Sequence, residues 1–394
     1  MMSGADPAGP VLERCRRLVD DRTMAHVKQW KKDNPGSLAV GYMPIYAPRP
    51  LLEAIGCLPV AVFGAGEADI IRGDSFFQSY ICHIPRSTVE LALSGDLACL
   101  DGMLFPSICD VIRNLGGMWK MLFPDAYAGY LDLPQNFDPK LGGKFWALEM
   151  RRIARELHER GAKKLEPQAL KDAIVRENER RAMVERLDQI RRAEPWRLRA
   201  TEAYLVVRAG SALTATEHTK LMKEVEAAVM QRTGRPYDNV RVVLVGSFCE
   251  QPPFDLIRAL EKSGCDIVED DFQLGLRMID GNVVVKDGED PVDALSNAFL
   301  FQGREAASRY IDKDEKGRAL VDRVKQCKAD GVVFAAASFC DPALLDQPML
   351  EAALNAAGVP HTNFKFAENN AQFQVIREQA GAFSDAVKLW GAAP

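Results

Sequence analysis

The sequence predicts an α/β protein made of two Rossmann-like parallel-sheet domains, related by internal duplication and separated by a helical insertion. Three observations support this class: a strand–helix–strand unit in the first half, a second copy of that unit in the second half, and a long charged helical stretch between them. A helix that joins two neighbouring strands makes those strands parallel, so each unit implies a parallel sheet.

The first copy of the unit follows an N-terminal helical segment. Residues 10–33 have helical spacing and predict a single helix, which Asn34, Pro35 and Gly36 end. A strand over 38–41, a turn-rich YMPIYAPRP, a helix over 51–55 and a strand over 59–63 come next. We therefore assign residues 1–37 to an N-terminal helical segment and residues 38–143 to the first α/β domain.

The second copy has a strand over 240–245, the turn GSFCEQPP, a helix over 254–262 and a strand over 266–268. Both copies follow the helix with a glycine–cysteine pair, Gly56-Cys57 and Gly264-Cys265, which indicates duplication. The second α/β domain is assigned to residues 236–394, with a last helix over about 370–390. Residues 144–235 form the helical domain between the two.

The helical domain is rich in Arg, Glu and Lys, which predicts a solvated helical face with ion pairs between successive turns. An alternative concerns its local basic segment RRIARELHERGAKK. That segment could bind a phosphate-bearing ligand such as coenzyme A, or a partner protein.

Composition limits the class of protein. The 394 residues are 47% hydrophobic and carry a formal net charge of −5, which gives no electrostatic case for nucleic-acid binding. No run reaches the ~18 apolar residues of a membrane helix. The N-terminus MMSGADPAGPVLERC lacks the apolar core of a signal peptide, so we expect a cytoplasmic protein.

Two of the nine cysteines share a context that predicts a site. Cys109 in LDGMLFPSICDVIRNL and Cys340 in DGVVFAAASFCD each follow a short buried strand and precede an aspartate and a helix. Open α/β sheets bind ligands at the carboxyl ends of their strands, and a helix N-terminus favours a thiolate. No CxxC pair occurs, so metal ligands would have to come from separated loops.

Cys82 extends this pair to three. It precedes an amphipathic helix that starts near Pro85, and it lies twenty-seven residues (109 − 82) before Cys109, which leaves room for one helix and one strand. Three thiolates that meet between two domains could hold a 4Fe–4S cluster. The alternative is that these are ordinary buried cysteines.

The other cysteines are weaker candidates for the site. Cys249, after the strand VVLVGSF, is a rival ligand, and Cys57 and Cys265 are expected to pack as small hydrophobic residues. Three more occupy core or helix positions with no special neighbours: Cys15, Cys99 and Cys327.

Acid–base candidates lie near the same loops. His83 directly follows Cys82 and could be a proton source; a surface histidine, or one whose hydrogen bonds are satisfied, is the alternative. Glu53 could reach the cleft as an acid or base, or be an exposed helical carboxylate. The run Glu269-Asp270-Asp271 could face the cleft or cap the following helix.

Longer segments resemble a known family. The sequence PLLEAIGCLPV, the segment ICHIPRSTVELALSGDLACLDGMLFPSICDVIR and the segment ADGVVFAAASFCDP resemble the 2-hydroxyacyl-CoA dehydratases (2-hydroxyglutaryl-CoA dehydratase D-component family) and the ATP-dependent benzoyl-CoA reductases. The resemblance extends from about residue 38 onward. The chain length and SFCEQPPFDLIRALEKSGCDIVEDDF are more similar to the benzoyl-CoA reductase branch, in particular to its C subunits.

The resemblance implies a set of site residues. Cys82, with Arg86 after it, Cys109, followed by Asp110, and Cys340 match the family's three ligands of a 4Fe–4S cluster at the domain interface. Glu53 matches a glutamate that lines the substrate side in some dehydratases.

The function implied by this resemblance is that of the iron–sulfur subunit of an ATP-dependent, ferredoxin-driven benzoyl-CoA reductase, an oxidoreductase that dearomatises benzoyl-CoA to cyclohexa-1,5-diene-1-carbonyl-CoA. The chain has no G-x-x-x-x-G-K-[ST] loop, so ATP hydrolysis would belong to ATPase activator subunits with their own 4Fe–4S cluster. Reduced ferredoxin and a paralogous cluster-bearing subunit are the other implied partners. Two alternatives stay open: a subunit of a radical (R)-2-hydroxyacyl-CoA dehydratase, and a non-catalytic electron-relay subunit.

Overall fold

A computed structural model describes residues 6–66, 69–247, 252–309, 313–367 and 373–390. These residues form eight strands and fourteen α-helices. The strands are β1 (Ala39–Tyr42), β2 (Leu58–Ala61), β3 (Gly102–Pro106), β4 (Tyr127–Leu131), β5 (Val240–Val245), β6 (Cys265–Asp270), β7 (Gly331–Ala337) and β8 (His361–Phe366). The helices are α1 (Gly9–Val19), α2 (Ala25–Asp33), α3 (Arg49–Ala54), α4 (His83–Ser94), α5 (Asp110–Leu122), α6 (Lys144–His158), α7 (Pro167–Ala193), α8 (Ala200–Ala209), α9 (Ala215–Val229), α10 (Phe254–Lys262), α11 (Pro291–Gln302), α12 (Lys313–Gln326), α13 (Asp341–Ala356) and α14 (Phe373–Trp390).

The strands form two parallel four-stranded sheets of the same topology. Their orders are β2-β1-β3-β4 and β6-β5-β7-β8, so each strand of the first sheet has a counterpart in the second. The central strands β3 and β7 are buried along their whole length, as expected for parallel strands covered by helices on both faces. The predicted α/β class and its duplication are confirmed.

The prediction of one helix over residues 10–33 is wrong. Two helices, α1 and α2, occupy this range, and Met24 between them has a left-handed backbone with φ of 51°. The side chain of Asp21 accepts hydrogen bonds from the backbone amides of Thr23 (3.1 Å) and His26 (3.3 Å). This local bonding competes with helix continuation and starts α2 afresh.

Boundaries in the second half also differ from prediction. Cys265 begins β6 instead of following a helix end, and the strand continues to Asp270 rather than stopping at Val268. In the first half the helix begins earlier than predicted, at Arg49, and β2 covers Leu58–Ala61.

The expectation of a solvated charged face holds for part of the insertion only. On α6, Arg151 pairs with Asp290 (3.0 Å), and Arg152 pairs with Glu149 and Glu156 (both 2.8 Å), so the basic segment has carboxylate partners. On α7, however, five charged side chains are buried: Glu177, Arg180, Arg181, Asp188 and Arg191. They lie between layers of the fold, where ion pairs replace their hydration.

One hydrophobic cluster contains residues of both sheets. It includes Leu104 and Phe105 of β3, Leu244 of β5 and Ala335 of β7, and helix α6 contributes Trp146. A second cluster lies among α1, α7, α8 and α9. The hydrophobic packing between the two sheets is therefore continuous. The predicted domain boundaries stay a prediction.

Within the described ranges, no helix is both long enough and apolar enough to cross a bilayer.

Candidate metal centre

Three cysteines stand at the starts of three helices. Cys82 is the N-cap of α4, Cys109 of α5 and Cys340 of α13. The first backbone amides of a helix have no carbonyl partner within it and carry a partial positive charge. Each thiol therefore lies where a negative sulfur is stabilised.

Cys109 uses one of these amides directly. Its Sγ accepts a hydrogen bond from the backbone amide of Ile112 at 3.5 Å. Burial raises the pKa of the Cys109 thiol, the amides of Ile112 and Val111 oppose this, and the carboxylates of Asp110 and Asp341 raise the pKa further. The net effect of these groups is a raised pKa of the Cys109 thiol.

Cys340 lies at the equivalent place in the second sheet. Strand β7 ends at Ala337, and the Cys340 amide donates to the carbonyl of Ala337 at 3.0 Å, which closes a tight turn. Phe339 within this turn has φ of 68° and is half-exposed. The turn buries Cys340 beside the first turn of α13.

The two halves approach each other at these turns. The carboxylate of Asp341, which follows Cys340, acts electrostatically on the thiol of Cys109. The start of α13 in the second half therefore lies close to the start of α5 in the first. That the matched strand ends share one cleft stays a prediction.

The segment that precedes Cys82 is bound to α4. The Glu90 carboxylate on α4 accepts hydrogen bonds from the backbone amides of Ile71 (3.0 Å), Arg72 (2.6 Å) and Gly73 (2.7 Å). Arg86 pairs with Asp74 at 2.8 Å. Both contacts fix the approach to Cys82 on the first turns of α4.

Cysteine thiolates, the candidate donors here, are the usual ligands of iron–sulfur clusters. In the part of the chain that the structure describes, no three His, Cys, Asp or Glu side chains are grouped so that they could share one metal ion. In a 4Fe–4S cluster, by contrast, each thiolate binds a different iron, so the ligands are spaced more widely. Three thiols at helix N-termini are donors of the type that such a cluster takes, and at Cys109 a backbone amide already donates to the sulfur.

The two acid–base candidates are both buried. His83 is the first residue of α4 and is 6% exposed, so the interpretation as a surface histidine is wrong. Glu53 is not an exposed carboxylate either: its Oε1 accepts from the backbone amide of Ala215 at 2.8 Å, at the start of α9. Burial raises the pKa of Glu53, and Arg49 opposes this shift.

The three acidic residues at the end of β6 have different surroundings. Glu269 binds Arg192 and Arg304, and Asp270 binds Arg191. Asp270 also accepts from the amide of Gln273 (3.2 Å) and so caps the short 3-10 helix Phe272–Leu276 that follows, which is the helix-capping alternative. Asp271 instead lines a cavity of about 60 Å³ at the carboxyl ends of β5 and β7.

The remaining cysteines mostly match expectation. Cys57 and Cys265 are buried, and burial raises the pKa of Cys57 to about 12 and that of Cys265 to about 11, as for packing residues. The expectation that Cys327 has no special neighbours is wrong, because its Sγ lies 3.8 Å from Glu269 Oε2. Cys249 lies outside the described residues.

Comparison with known proteins agrees with this architecture. Residues 44–387 match the family model described as 2-hydroxyglutaryl-CoA dehydratase, D-component. The chain is 44% identical to the benzoyl-CoA reductase C subunit of Thauera aromatica, over 99% of this chain and 100% of that protein. It is 26% identical to the (R)-phenyllactyl-CoA dehydratase beta subunit of Clostridium sporogenes, over 92% of this chain and 94% of that protein. For the (R)-2-hydroxyglutaryl-CoA dehydratase beta subunit of Acidaminococcus fermentans the identity is 24%, over 89% of this chain and 93% of that protein. The chain belongs to the 2-hydroxyglutaryl-CoA dehydratase D-component family.

Proposed function

We propose that the chain is the iron–sulfur subunit of an ATP-dependent benzoyl-CoA reductase, which converts benzoyl-CoA to cyclohexa-1,5-diene-1-carbonyl-CoA. The observation that carries this proposal is the 44% identity to a benzoyl-CoA reductase C subunit along the whole of both chains. Identity to the dehydratase subunits of the same family is 24–27%.

Cys82, Cys109 and Cys340 are the proposed ligands of a 4Fe–4S cluster. Adding an electron to a benzene ring is unfavourable because it breaks aromaticity, so the reaction needs a donor of very low potential. The bound cluster supplies that one-electron chemistry. Three features support the assignment: the helix-start position of each thiol, the matched strands before Cys109 and Cys340, and the electrostatic effect of the Asp341 carboxylate on the Cys109 thiol.

The surroundings of these thiols suit a low potential. Asp110 and Asp341 directly follow two of the cysteines, and their carboxylates oppose negative charge on Cys109. Burial of Cys340 removes water that would otherwise stabilise such charge. Reduction adds a negative charge, so both features make reduction harder and lower the potential of a group bound there.

The partners follow from the same proposal. A paralogous cluster-bearing subunit shares the substrate, ATPase activator subunits deliver the electron at the expense of ATP, and reduced ferredoxin feeds the complex. The proposed location is the cytoplasm. His83, buried next to Cys82, is the proposed proton source, and Glu53 is a second acid–base candidate.

The test is replacement of one ligand in the anaerobically purified complex. Cys109→Ala should remove the cluster from this subunit, with loss of its iron and its EPR signal and a fall in benzoyl-CoA reduction of at least about a thousandfold. Cys57→Ala is the matched control, since Cys57 is a cysteine of the same half of the chain that packs in the core. Undiminished iron and activity in Cys109→Ala would reject the assignment.

A second candidate is a radical (R)-2-hydroxyacyl-CoA dehydratase subunit, which the family model and the dehydratase relatives favour. The two reactions differ in electron balance. A reductase consumes electrons at each turnover, whereas a dehydratase returns its electron and shows no net reduction. Counting electrons consumed per product formed separates the two.

A further inference from the structure

A large cavity lies beside the edge strand β2. Its volume is about 640 Å³, and its walls come from the end of β2, the connection between α1 and α2, the end of α8 and the start of α10. Arg16 and Arg258 also line a second cavity of about 530 Å³. Together the two cavities form an extended groove, whose first part has the size of ligand-binding pockets.

Two arginines and three aromatic rings form a row of stacked side chains beside this groove. The guanidinium of Arg16 lies 4.8 Å from the ring centre of Phe254, whose ring centre is 4.9 Å from that of Tyr204. Arg208 lies 5.5 Å from the ring of Tyr204 and 4.3 Å from the ring of Phe63. We call these five side chains, which come from α1, α8, α10 and the end of β2, the cation–ring ladder.

The two ladder arginines keep donors available for a ligand. Within the described residues, neither Arg16 nor Arg208 pairs with a carboxylate, and Arg208 donates one hydrogen bond to the Tyr204 hydroxyl at 2.9 Å. A guanidinium that stacks on a ring uses its face and leaves the N–H groups at its edge free. These edges can bind phosphate in the bidentate geometry that arginine favours.

Another arginine-lined cavity offers a contrast. It has a volume of about 890 Å³, but Arg192 and Arg304 there bind Glu269, and Arg277 binds Asp188. These carboxylates already occupy the guanidinium donors. Four carboxylates also line the first cavity, those of Asp20, Asp21, Asp96 and Asp255, but in the described part of the chain no ion pair joins them to Arg16 or Arg208. The cation–ring ladder is therefore the better place for an anionic ligand.

The ladder also suits a purine. Aromatic rings and guanidinium planes both stack on nucleobases, and Phe63 and Phe254 line the first cavity together with Arg16 and Arg208. The relatives named above act on CoA thioesters according to their names, and CoA ends in an adenine nucleotide with three phosphates. We propose that this cavity binds the 3′-phosphoadenosine diphosphate end of CoA, with its phosphates on Arg16 and Arg208. This inference rests on the proposed function.

The cavity wall points toward the candidate metal centre. Gly64, after β2, has φ of 78°, and a Cβ at this position would lie 2.3 Å from Ser87 Oγ and 3.6 Å from the Cα of Ile84. This segment therefore packs closely on the first turns of α4, which begins directly after Cys82. A nucleotide held by the ladder directs its pantetheine arm along this wall toward that helix start.

The test compares benzoyl-CoA with S-benzoylpantetheine, which keeps the thioester and lacks the nucleotide, in the active complex. Arg208→Gln and Arg16→Ala should each raise KM for benzoyl-CoA about tenfold with kcat within twofold of wild type, because each removes a charge-assisted contact. For S-benzoylpantetheine, variants and wild type should have equal KM. Arg14→Ala, on the exposed side of the same helix and paired with Glu224, should match wild type on both substrates.

Calorimetry with free CoA on the full chain tests the cavity without catalysis. Wild-type protein should bind CoA, and both ladder variants should bind about tenfold more weakly while their iron content is unchanged. Arg208→Lys, which keeps the charge, should recover part of the affinity and so exclude misfolding. The inference is overturned if the ladder variants keep wild-type KM and affinity, or if S-benzoylpantetheine suffers the same loss. A complex that reduces benzoyl-CoA although this chain binds no CoA would overturn the cavity assignment and leave the proposed function intact.

Discussion

Asp271 has a carboxyl group in an unusual setting at the carboxyl edge of the second sheet. Its oxygens accept hydrogen bonds from the backbone amides of Gly246 (2.6 Å) and Ser247 (3.0 Å). Burial nevertheless raises the pKa of Asp271 to about 7, and the neighbouring carboxylate of Asp270 adds to the shift, while Arg323 opposes it. The acid that fixes the turn after β5 therefore changes charge near neutral pH.

This shift predicts a pH dependence of stability. Between the pKa of an unfolded aspartate, near 4, and about 7, the folded chain binds more protons at Asp271 than the unfolded chain does, so its stability falls as pH rises through that window. Asp271→Asn removes this titration and should reduce the fall between pH 5 and pH 8 by about 1–2 kcal/mol. Urea unfolding of the wild type and the variant at pH 5 and pH 8 measures this difference. An equal change in the free energy of unfolding of both proteins would contradict the prediction.

At the scale of elements, the turns that follow the central strands position the candidate metal centre. Gly246 leaves β5 with φ of 105°, and a Cβ there would lie 3.3 Å from backbone atoms of Ala335 and Ala336 in β7. Ser247 then donates from its hydroxyl to the carbonyl of Ala335 at 2.6 Å. The turn after β5 is thus packed directly on the strand that leads to Cys340.

Gly246→Ala tests this packing. The new methyl group would crowd backbone atoms of β7, and alanine disfavours the positive φ of this position. We therefore expect a loss of about 1–3 kcal/mol in the free energy of unfolding. Gly117→Ala on α5 is the matched control, because its Cβ would meet no atom within 4 Å and alanine favours a helix by about 0.5–1 kcal/mol. Equal stability of the two variants would argue against a constrained turn.

At the scale of the whole molecule, buried ion pairs connect the helical insertion to the second sheet. Arg191 of α7 is fully buried and binds Asp188 on its own helix (2.9 Å) and Asp270 at the end of β6. Burial raises the pKa of Asp188 to about 6, although Arg191 opposes this shift. The free energy of this contact is therefore the difference between the cost of removing these charges from water and the attraction between Arg191 and the two carboxylates.

Removal of the cation should leave two carboxylates buried together. Arg191→Met is expected to reduce the free energy of unfolding by about 3–5 kcal/mol, the usual cost of breaking a buried pair from one side. Arg186 is on the same helix as Arg191, and Arg186→Met, which breaks its more exposed pair with Glu226 of α9, should cost less than about 1 kcal/mol. Chemical denaturation of both variants gives the comparison, and similar losses would show that burial is not the cause.

Local patterns predicted the repeated strand–helix–strand units, because their apolar runs and glycine–cysteine pairs are contiguous in sequence. They also predicted the helix starts after Cys109 and Cys340. They could not predict the left-handed break at Met24, which depends on the Asp21 side chain, nor the buried charges of α7, whose polar sequence is typical of a solvent-exposed helix. The cation–ring ladder joins positions from residue 16 to residue 254, and no local pattern links residues so far apart.

The apolar cluster shared by both sheets has a consequence for how such proteins are engineered. A chimera that joins one half of this chain to the other half of a related subunit would have to match side chains across that seam, including Trp146 against Phe299. Exchange of parts between relatives is therefore far more tolerant at surface loops than at the junction of the halves.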